Sequence, residues 1–374
     1  WKDPEIDFIL SVSALKAALK YFREKGEAVA YDVETDSRNP ISANLRCVAL
    51  SNLTRSVVIP FLSIDGTSLF FDPQTEIKIR DELARFLEEG KPPIIGHNAG
   101  QYDKLSADTL LLHLLADNEM PHNLGFVTSV YTDFVEAWKA NHTALNAKDD
   151  RELWTYCAKD ACATSRVAAP LARVVRNRDQ WHLLKREHDL QSVGVGMQTL
   201  GMRVDKERLF SHASDFLRKL EKNKGICAEI VSPEFNPNST LQLRSLLYSN
   251  WKLTPEKYNE KTGDPSTDDE TLRAMITHHN LEDEQREFIQ AVRMVRRYSK
   301  LLGTYVKPMK ERLIMGDGRI HPAYNRLPAT GRYSSSEPNA QNIPGFLRDI
   351  FIPEEGHLFV GADMDQLELR LLAE

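Results

Sequence analysis

Short apolar runs with strand-like composition give the strongest constraint on how the first part of the chain folds. They alternate with stretches in which apolar residues recur at helical spacing. This alternation predicts an α/β domain over about residues 1–175. The predicted strands are residues 28–34, 45–51, 56–60 and 93–96, with a turn around Asn52. The predicted helices are residues 77–87, 109–115 and 152–175.

The second part of the chain has a different pattern, in which helical spacing dominates. One helix is predicted to end at Gly201, and Asp205 is predicted to cap another that runs to about residue 222. Polar residues 254–269 are typical of an exposed loop, and residues 284–309 predict a long helix or a helix pair. An α-rich arm is therefore predicted before the chain returns to turns and strands after residue 316.

The composition limits the classes of protein to which the chain can belong. Its 374 residues, 41% hydrophobic and 27% charged, are typical of a soluble protein of two or three domains. No apolar run approaches the roughly 18 residues of a membrane helix, so no membrane partner is expected. The chain begins at Trp1 without a signal-peptide pattern and is interpreted as an excised piece. Free thiols in a reducing compartment are predicted for Cys47, Cys157, Cys162 and Cys227, which lack metal-type spacing.

A local basic run contrasts with the formal net charge of −6, which does not by itself indicate nucleic-acid binding. Between residues 293 and 312, seven basic side chains stand against one acid, Glu311. Such a run is usually a solvated helix face, although it can also grip phosphates. The seven are Arg293, Arg296, Arg297, Lys300, Lys307, Lys310 and Arg312.

Three signals that carry carboxylates follow one another in the predicted α/β domain. Asp32 and Glu34 lie two residues apart on a predicted strand and therefore point to the same face. Asp103 closes a polar segment that follows a predicted buried strand. Tyr156 and Asp160 lie four residues apart on a predicted helix and share a face. Each signal is weak by itself, since unrelated surface acids give the same spacing, but the ordered combination indicates a divalent-metal site.

A fourth signal that carries a carboxylate stands near the end of the chain. The apolar residues 358–362 predict a buried strand, with Asp363 at its carboxyl end and a helix opening at Gln366 and Glu368. A carboxylate that leaves a strand beside a helix start is a good place for a divalent metal. Upstream, residues 329–344 form a segment rich in turn formers that carries the polar side chains Arg332, Asn339, Gln341 and Asn342.

These motifs resemble family A, the DNA polymerase I-like DNA polymerases. Residues 329–344 and 363–374 resemble its palm, and the three carboxylate signals resemble its DEDDy 3′→5′ proofreading exonuclease. The resemblance implies an RNase H-like exonuclease domain over residues 1–175, a mixed sheet with flanking helices. It also implies an α-rich thumb with linking helices over 176–315 and the start of an α+β palm over 316–374.

For the exonuclease, the resemblance implies two divalent ions, Mg²⁺ or Mn²⁺, held by four acids. One metal would generate hydroxide and the second would stabilise the leaving 3′ oxygen. Tyr156 and Glu34 would orient the attacking water, and Asn98 would contact the DNA. The four implied ligands are Asp32, Glu34, Asp103 and Asp160.

For the palm, the resemblance implies a second two-metal site. Asp363 would ligate both catalytic ions, with help from the carbonyl of Met364. Gln366 and Glu368 would contact the incoming dNTP, with Glu368 excluding a ribose 2′-OH. The residues implied to contact the minor groove near the primer end are Arg332, Asn339, Gln341 and Asn342.

The implied partners are primer–template DNA, a single-stranded DNA 3′ end and dNTPs. A processivity factor or a second polymerase subunit is a further partner that the resemblance leaves open. The expected location is the cytoplasm of a bacterial cell or a phage-infected host, with an organellar matrix as the alternative. The segment 97–103 is one residue longer than in bacterial relatives and in this respect resembles phage members of the family. The stretches 103–108 and 344–346 are shorter than the family pattern.

The sequence also departs from a complete family A polymerase. No fingers helix with its lysine and no second palm carboxylate is found, so the chain as given is expected not to extend primers alone. Two alternatives stay open. The chain could be a stand-alone 3′→5′ exonuclease, or it could be a DNA-binding scaffold subunit of a split polymerase.

Overall fold

The computed structural model describes residues 5–37, 43–99, 105–133, 146–325 and 331–373. The chain divides into two compact units. The first comprises Trp1–Thr199 with Tyr324–Ser334, and the second comprises Leu200–Ala323 with Ser335–Glu374. The domain boundaries at 175 and 315 stay predictions. In the part of the chain that the structure describes, no helix is both long and apolar enough to cross a membrane.

A six-stranded mixed sheet forms the centre of the first unit, in the order β1-β4-β3-β2-β5-β6. The central pairs β2–β3 and β3–β4 are antiparallel, whereas β1–β4, β2–β5 and β5–β6 are parallel. The turn between β3 and β4 forms because the Asn52 side-chain oxygen accepts the N–H groups of Thr54 and Arg55, at 3.1 and 2.9 Å. The strands are β1 Glu5–Phe8, β2 Val29–Thr35, β3 Leu45–Ser51, β4 Arg55–Pro60, β5 Ile94–Gly96 and β6 Ala107–Asp108.

Helices cover both faces of this sheet, which confirms the predicted mixed α/β fold. Val57 packs with α1 and α2 on one face, while its neighbour Val58 packs with α5 on the other, as expected when strand side chains alternate. Gly90 ends α2 with φ 61°, in the left-handed region that glycine adopts readily after a helix. The helices are α1 Val12–Lys25, α2 Pro73–Glu89, α3 Thr109–Ala116, α4 Leu124–Tyr131, α5 Asp150–Asn177 and α6 Trp181–Leu200.

The second unit is mainly helical, and α7 (Lys206–Ile230) packs along α10 (Asp283–Lys300). Asp205 caps α7 as predicted, although the helix continues eight residues beyond residue 222. The predicted long helix or helix pair is α10 joined through the π-helical turn Leu301–Val306 to α11. The other elements here are α8 Thr240–Arg244, the π-helical turn Ser245–Asn250, α9 Asp269–His278 and α11 Lys307–Met315.

The last part of the chain contains short elements. Strand β7 (Met202–Arg203) pairs antiparallel with β8 (Arg319–Ile320). Strands β9 and β10 are Ala323–Asn325 and Ser334–Ser336, and 3-10 turns span Ala340–Asn342 and Gly345–Ile350. A final helix, α12, spans Leu367–Ala373.

The predicted buried strand at residues 358–362 is wrong. These residues form no strand, and the side chains of Leu358 and Val360 are 87% and 94% exposed. A strand is stable only when it pairs with a neighbour and buries a face, and no strand among the described residues pairs with this run. We call residues 357–373, all exposed, the C-terminal segment.

Candidate metal centre

Three of the four predicted exonuclease acids come together in the first unit. Asp32, Glu34 and Asp160 each offer a carboxylate oxygen, and the three oxygens lie within 4.8 Å of one another. Asp160 is buried, while Asp32 and Glu34 are half-buried. We call these three residues the carboxylate group. The fourth predicted ligand, Asp103, lies outside the described residues.

Strand β2 places two members of the carboxylate group. Asp32 pairs with Ala49 of β3, and Glu34 pairs with Cys47, just before the register shifts at Thr35. Because alternate strand residues point to opposite faces, the Val33 side chain between them turns away and is 37% exposed. The spacing of two therefore puts both carboxylates on the same face, as the sequence predicted.

Helix α5 brings the third carboxylate, and its first turns are anchored to the sheet. Asp149 caps the helix by accepting the N–H of Glu152 at 2.8 Å. The Trp154 ring packs against Phe8 and Phe70, with centroids 5.2 and 5.1 Å apart. These contacts fix the rotation of the helix, so that the face carrying residues 156 and 160 is directed at β2.

A thiol joins α5 to the strand at the level of the carboxylate group. The Cys157 Sγ lies 3.6 Å from the carbonyl oxygen of Asp32 and donates a weak hydrogen bond to it. Burial is the main reason that the pKa of Cys157 is raised well above its usual range, so the group stays a thiol. All four cysteines are buried and free, which confirms the prediction of free thiols.

Tyr156 lies beside the carboxylate group and stays protonated. Burial is the largest reason that its pKa is raised, followed by the negative charges of Asp160, Glu34 and Asp32. A hydrogen bond with the Asp160 side chain acts in the same direction. The phenol therefore donates its proton to Asp160 at the edge of an anionic site, and its oxygen can accept a hydrogen bond from water.

The loop after β5 carries Asn98 and is held by Asp108. Asp108 Oδ1 accepts the N–H groups of Asn98 and Leu110, at 3.0 and 2.8 Å, and Oδ2 accepts that of Ala99 at 2.8 Å. The backbone N–H of Asp108 donates to His188 Nε2 at 3.2 Å. The exposed Asn98 is thus placed by a carboxylate ten residues further along the chain.

Asp108 and His188 both have pKa values that burial shifts, and neighbouring groups oppose these shifts. Burial raises the pKa of Asp108, while the hydrogen bonds from Ala99, Leu110 and Asn98 act in the opposite direction. Burial also lowers the pKa of His188, which favours the neutral ring whose Nε2 can accept a hydrogen bond. A signal for Asp108 existed in the sequence, since a carboxylate beside an apolar run must find donors when buried. Nothing in the sequence indicated His188.

The residues predicted to contact the primer end lie in short turns. Asn339 caps the 3-10 turn at 340–342, where its Oδ1 accepts the N–H of Gln341 and the hydroxyl of Ser335, both at 3.1 Å. Gln341 and Asn342 are exposed, and Arg332 is exposed in the first unit. Asn339 thus has a structural role that the sequence did not indicate, and the predicted DNA contacts stay predictions.

The predicted palm residues lie in the C-terminal segment and are exposed. Gln366 has φ 56°, and Glu368 stands in the first turn of α12. Met364 is 63% exposed, and Asp363 is exposed beside it. Over the described ranges, Asp363 joins no group of three acidic, histidine or cysteine side chains close enough to hold an ion. The structure therefore does not bring a second metal centre together.

The basic run at 293–312 is partly engaged within the protein. Arg293 forms an ion pair with Asp269 at 2.8 Å, and Arg312 forms one with Glu337 at 3.0 Å. Arg296 donates to the carbonyl oxygens of Pro237 and Thr267. Lys307 also forms an ion pair with Glu311 at 3.9 Å. Arg297 and Lys310 stand over the rings of Phe346 and Phe210. Six of the seven basic side chains thus contact protein groups, although Arg297 and Lys307 are exposed.

The comparisons with known proteins agree on one family. Residues 206–374 match the DNA polymerase family A model. DNA polymerase I of Synechocystis sp. is 29% identical over 402 residues, which cover 98% of this chain and 39% of the relative. The thermostable DNA polymerase I of Thermus filiformis is 34% identical over 200 residues, which cover 52% of this chain and 23% of the relative. The chain therefore spans well under half the length of these relatives.

A solved structure shows the same fold. It is described as the POL domain of Pol1 from M. smegmatis in complex with DNA primer-template and dNTP. The likeness covers 98% of this chain and 62% of that chain, with a TM-score of 0.74 and 24% sequence identity. At this level of identity the likeness concerns the fold alone.

Proposed function

We propose that this chain, whose residues 206–374 match the DNA polymerase family A model, carries the 3′→5′ exonuclease of a DNA polymerase. The observation that carries the proposal is the convergence of Asp32, Glu34 and Asp160 within 4.8 Å. The reaction is hydrolysis of the terminal phosphodiester of single-stranded DNA. A water oxygen forms the new bond to phosphorus, and the 3′ oxygen of the preceding nucleotide leaves.

The donor set of the carboxylate group fits a hard divalent cation. All three groups supply oxygen, which suits Mg²⁺ or Mn²⁺ and not zinc. Asp103 would be a fourth ligand in a site for two ions. Divalent ions bound there would supply activation of water and would offset the charge of the scissile phosphate.

The side chains around the carboxylate group have separate tasks in this proposal. Tyr156, which stays protonated and donates its proton to Asp160, orients the attacking water by accepting a hydrogen bond from it. Glu34 accepts a hydrogen bond from the same water, since its half-buried carboxylate can face both protein and solvent. Asn98 is exposed on the loop after β5, where its amide would contact the terminal nucleotide.

We extend the proposal to nucleotide addition through the C-terminal part of the chain. Asp363 and the Met364 carbonyl would hold catalytic metal, and Gln366 and Glu368 would contact the dNTP. The support is that residues 206–374, which match family A, include all four. Primer–template DNA and dNTPs are the proposed partners, as they are in the M. smegmatis complex. A processivity factor or a second polymerase subunit remains part of the proposal.

The experiment compares two double variants that remove the same charge. Asp32→Ala with Glu34→Ala should abolish digestion of a 5′-labelled single strand in Mg²⁺. Asp81→Ala with Glu88→Ala removes two exposed acids of α2 and should leave the rate within about twofold, since exposed positions away from a site are tolerant. Digestion by the first variant at the control's rate would refute the assignment.

The same assay separates the proposal from the scaffold alternative. A scaffold subunit of a split polymerase would bind DNA, and neither double variant would differ from the unmodified chain in digestion. A stand-alone exonuclease would digest as the proposal predicts, but its activity would not require the family A region at residues 206–374.

A further inference from the structure

Asp108 stands out because its carboxylate is completely buried and surrounded by backbone N–H groups. Its three donors are the N–H groups of Asn98, Ala99 and Leu110, at 2.8 to 3.0 Å. The bond to Leu110 is an ordinary helix cap for α3. The other two reach back ten and nine residues to the loop after β5, so the carboxylate does more than start a helix.

His188 fixes Asp108 from another element. It lies on α6, and its Nε2 accepts the Asp108 backbone N–H at 3.2 Å. An Nε2 that accepts a hydrogen bond requires the neutral ring with its proton on Nδ1. The end of β6 is therefore held between the loop after β5 and α6, and all of these contacts lie within the first unit.

The loop that Asp108 holds has an unusual backbone conformation next to the metal-site strand. Asn98 has φ 59°, in the left-handed region that asparagine tolerates better than most residues other than glycine. The Tyr31 hydroxyl donates to the carbonyl oxygen of Ala99 at 3.3 Å. Tyr31 directly precedes Asp32 on β2, so the loop is bonded both to Asp108 and to the strand of the carboxylate group.

We propose that Asp108, supported by His188, is a positioning residue for the exonuclease. Its carboxylate fixes the backbone of Asn98 and Ala99, so that the exposed Asn98 amide meets the terminal nucleotide of a single-stranded 3′ end. The inference rests on the proposed exonuclease function and adds to it how the single-stranded substrate is held. It concerns Asn98 and not the metal ligands.

The first test compares two aspartates that cap helices in the same unit. Asp108→Asn replaces an acceptor with a donor that faces backbone N–H groups, and kcat/KM on a 5′-labelled single strand should fall about ten- to a hundredfold. Asp72→Asn is the matched control, because Asp72 caps α2 by accepting the N–H groups of Gln74 and Thr75. The control should change kcat/KM less than about twofold, as a surface substitution away from the site.

A double-variant cycle separates positioning from general structural damage. If Asp108 acts through Asn98, then Asp108→Asn in an Asn98→Ala background should cost little beyond the loss already caused by Asn98→Ala. Effects of the two substitutions that multiply would overturn the proposal. So would Asp108→Asn with unchanged kcat/KM.

A second variant keeps the test valid if Asp108→Asn does not fold. His188→Leu removes the acceptor but leaves the Asp108 carboxylate, whereas His188→Gln keeps an acceptor. The leucine variant should lose activity only when Asn98 is present, and the glutamine variant should recover part of that loss. Equal activity of the leucine variant and the unmodified chain would also overturn the proposal. Absence of digestion by the unmodified chain would overturn the exonuclease function itself, which distinguishes the two failures.

Discussion

The carboxylate group and the C-terminal segment both carry acids predicted to bind metal, but only the acids of the carboxylate group lie close together in the structure. Asp32, Glu34 and Asp160 stand on a strand and a helix that share one core, and their oxygens converge within 4.8 Å. Asp363 stands in a segment that is exposed along its whole length. Ligands are placed by local structure only where the elements that carry them are packed against each other.

The apolar residues of the two regions show the same difference. Around the carboxylate group, Cys47, Ala49 and Leu153 are completely buried. In the C-terminal segment, Leu358, Val360 and Leu372 are more than 80% exposed. An apolar run with these exposures gains nothing from burial within the described chain, so its sequence pattern alone could not predict its structure.

The largest expected effect removes the buried member of the carboxylate group. Asp160→Ala should lower the exonuclease kcat by about a thousandfold or more, because loss of one ligand or charge-stabilising group removes transition-state stabilisation. The rate of release of labelled 3′ nucleotides in Mg²⁺ measures it. Asp365→Ala, which removes an exposed acid of the C-terminal segment, is the control and should keep the full rate. Comparable losses in the two variants would erase the difference between the regions.

The next effect compares the stability cost of removing a leucine from the core of the first unit with that of removing one from the C-terminal segment. Leu111 is completely buried against Val127 and its neighbours on α3 and α5, so Leu111→Ala should cost about 2–5 kcal/mol in the free energy of unfolding. Leu372 is 82% exposed, and Leu372→Ala should stay within about 0.5 kcal/mol. Urea unfolding followed by circular dichroism measures both. A large loss for Leu372→Ala would mean that the C-terminal segment is packed in solution.

A smaller effect concerns the phenol beside the carboxylate group. Tyr156→Phe should lower the exonuclease kcat about ten- to a hundredfold, since it removes one oriented hydrogen bond while keeping the ring. Because burial and the neighbouring carboxylates raise the pKa of Tyr156, the phenol should stay protonated up to pH 10. The ratio of the two kcat values should therefore be constant from pH 7 to pH 10 in a continuous digestion assay. A ratio that approaches one as the pH rises would show that Tyr156 ionises.

The smallest effect is a pH dependence of stability in the first unit. His113 Nδ1 and His122 Nδ1 lie 2.7 Å apart, and burial is the main cause that lowers the pKa of each below its ordinary value of 6.5. The unfolded chain therefore binds more protons in acid, so this contribution is complete above pH 6.5 and is lost as the pH falls below it. The urea midpoint should decrease from pH 7.5 to pH 5.5.

The control for that measurement lies in the other region. His357 is exposed at the start of the C-terminal segment, so His357→Gln should leave the slope of stability against pH unchanged. His122→Gln should reduce the slope, because it removes one of the two groups that resist protonation. An unchanged slope in His122→Gln would assign the pH dependence to other residues.

The first unit was largely predictable because its signals are periodic. Spacing of two on β2 and of four on α5 depends only on local geometry, and the structure places Asp32 and Asp160 accordingly. The contact between Asp108 and His188 joins elements 80 residues apart, and no local period reports such a pair. The prediction of a strand at 358–362 was wrong for a related reason. An apolar run becomes a stable strand only when a partner strand lies beside it.

The most direct test of the account is the equilibrium binding of Mn²⁺, followed by the electron paramagnetic resonance signal of the free ion. The account predicts that the unmodified chain and the Asp81→Ala/Glu88→Ala control take up Mn²⁺ alike. It predicts that Asp32→Ala with Glu34→Ala loses the tightest binding, whatever happens to activity. Undiminished tight binding by that variant would contradict the assignment of the carboxylate group as a metal centre.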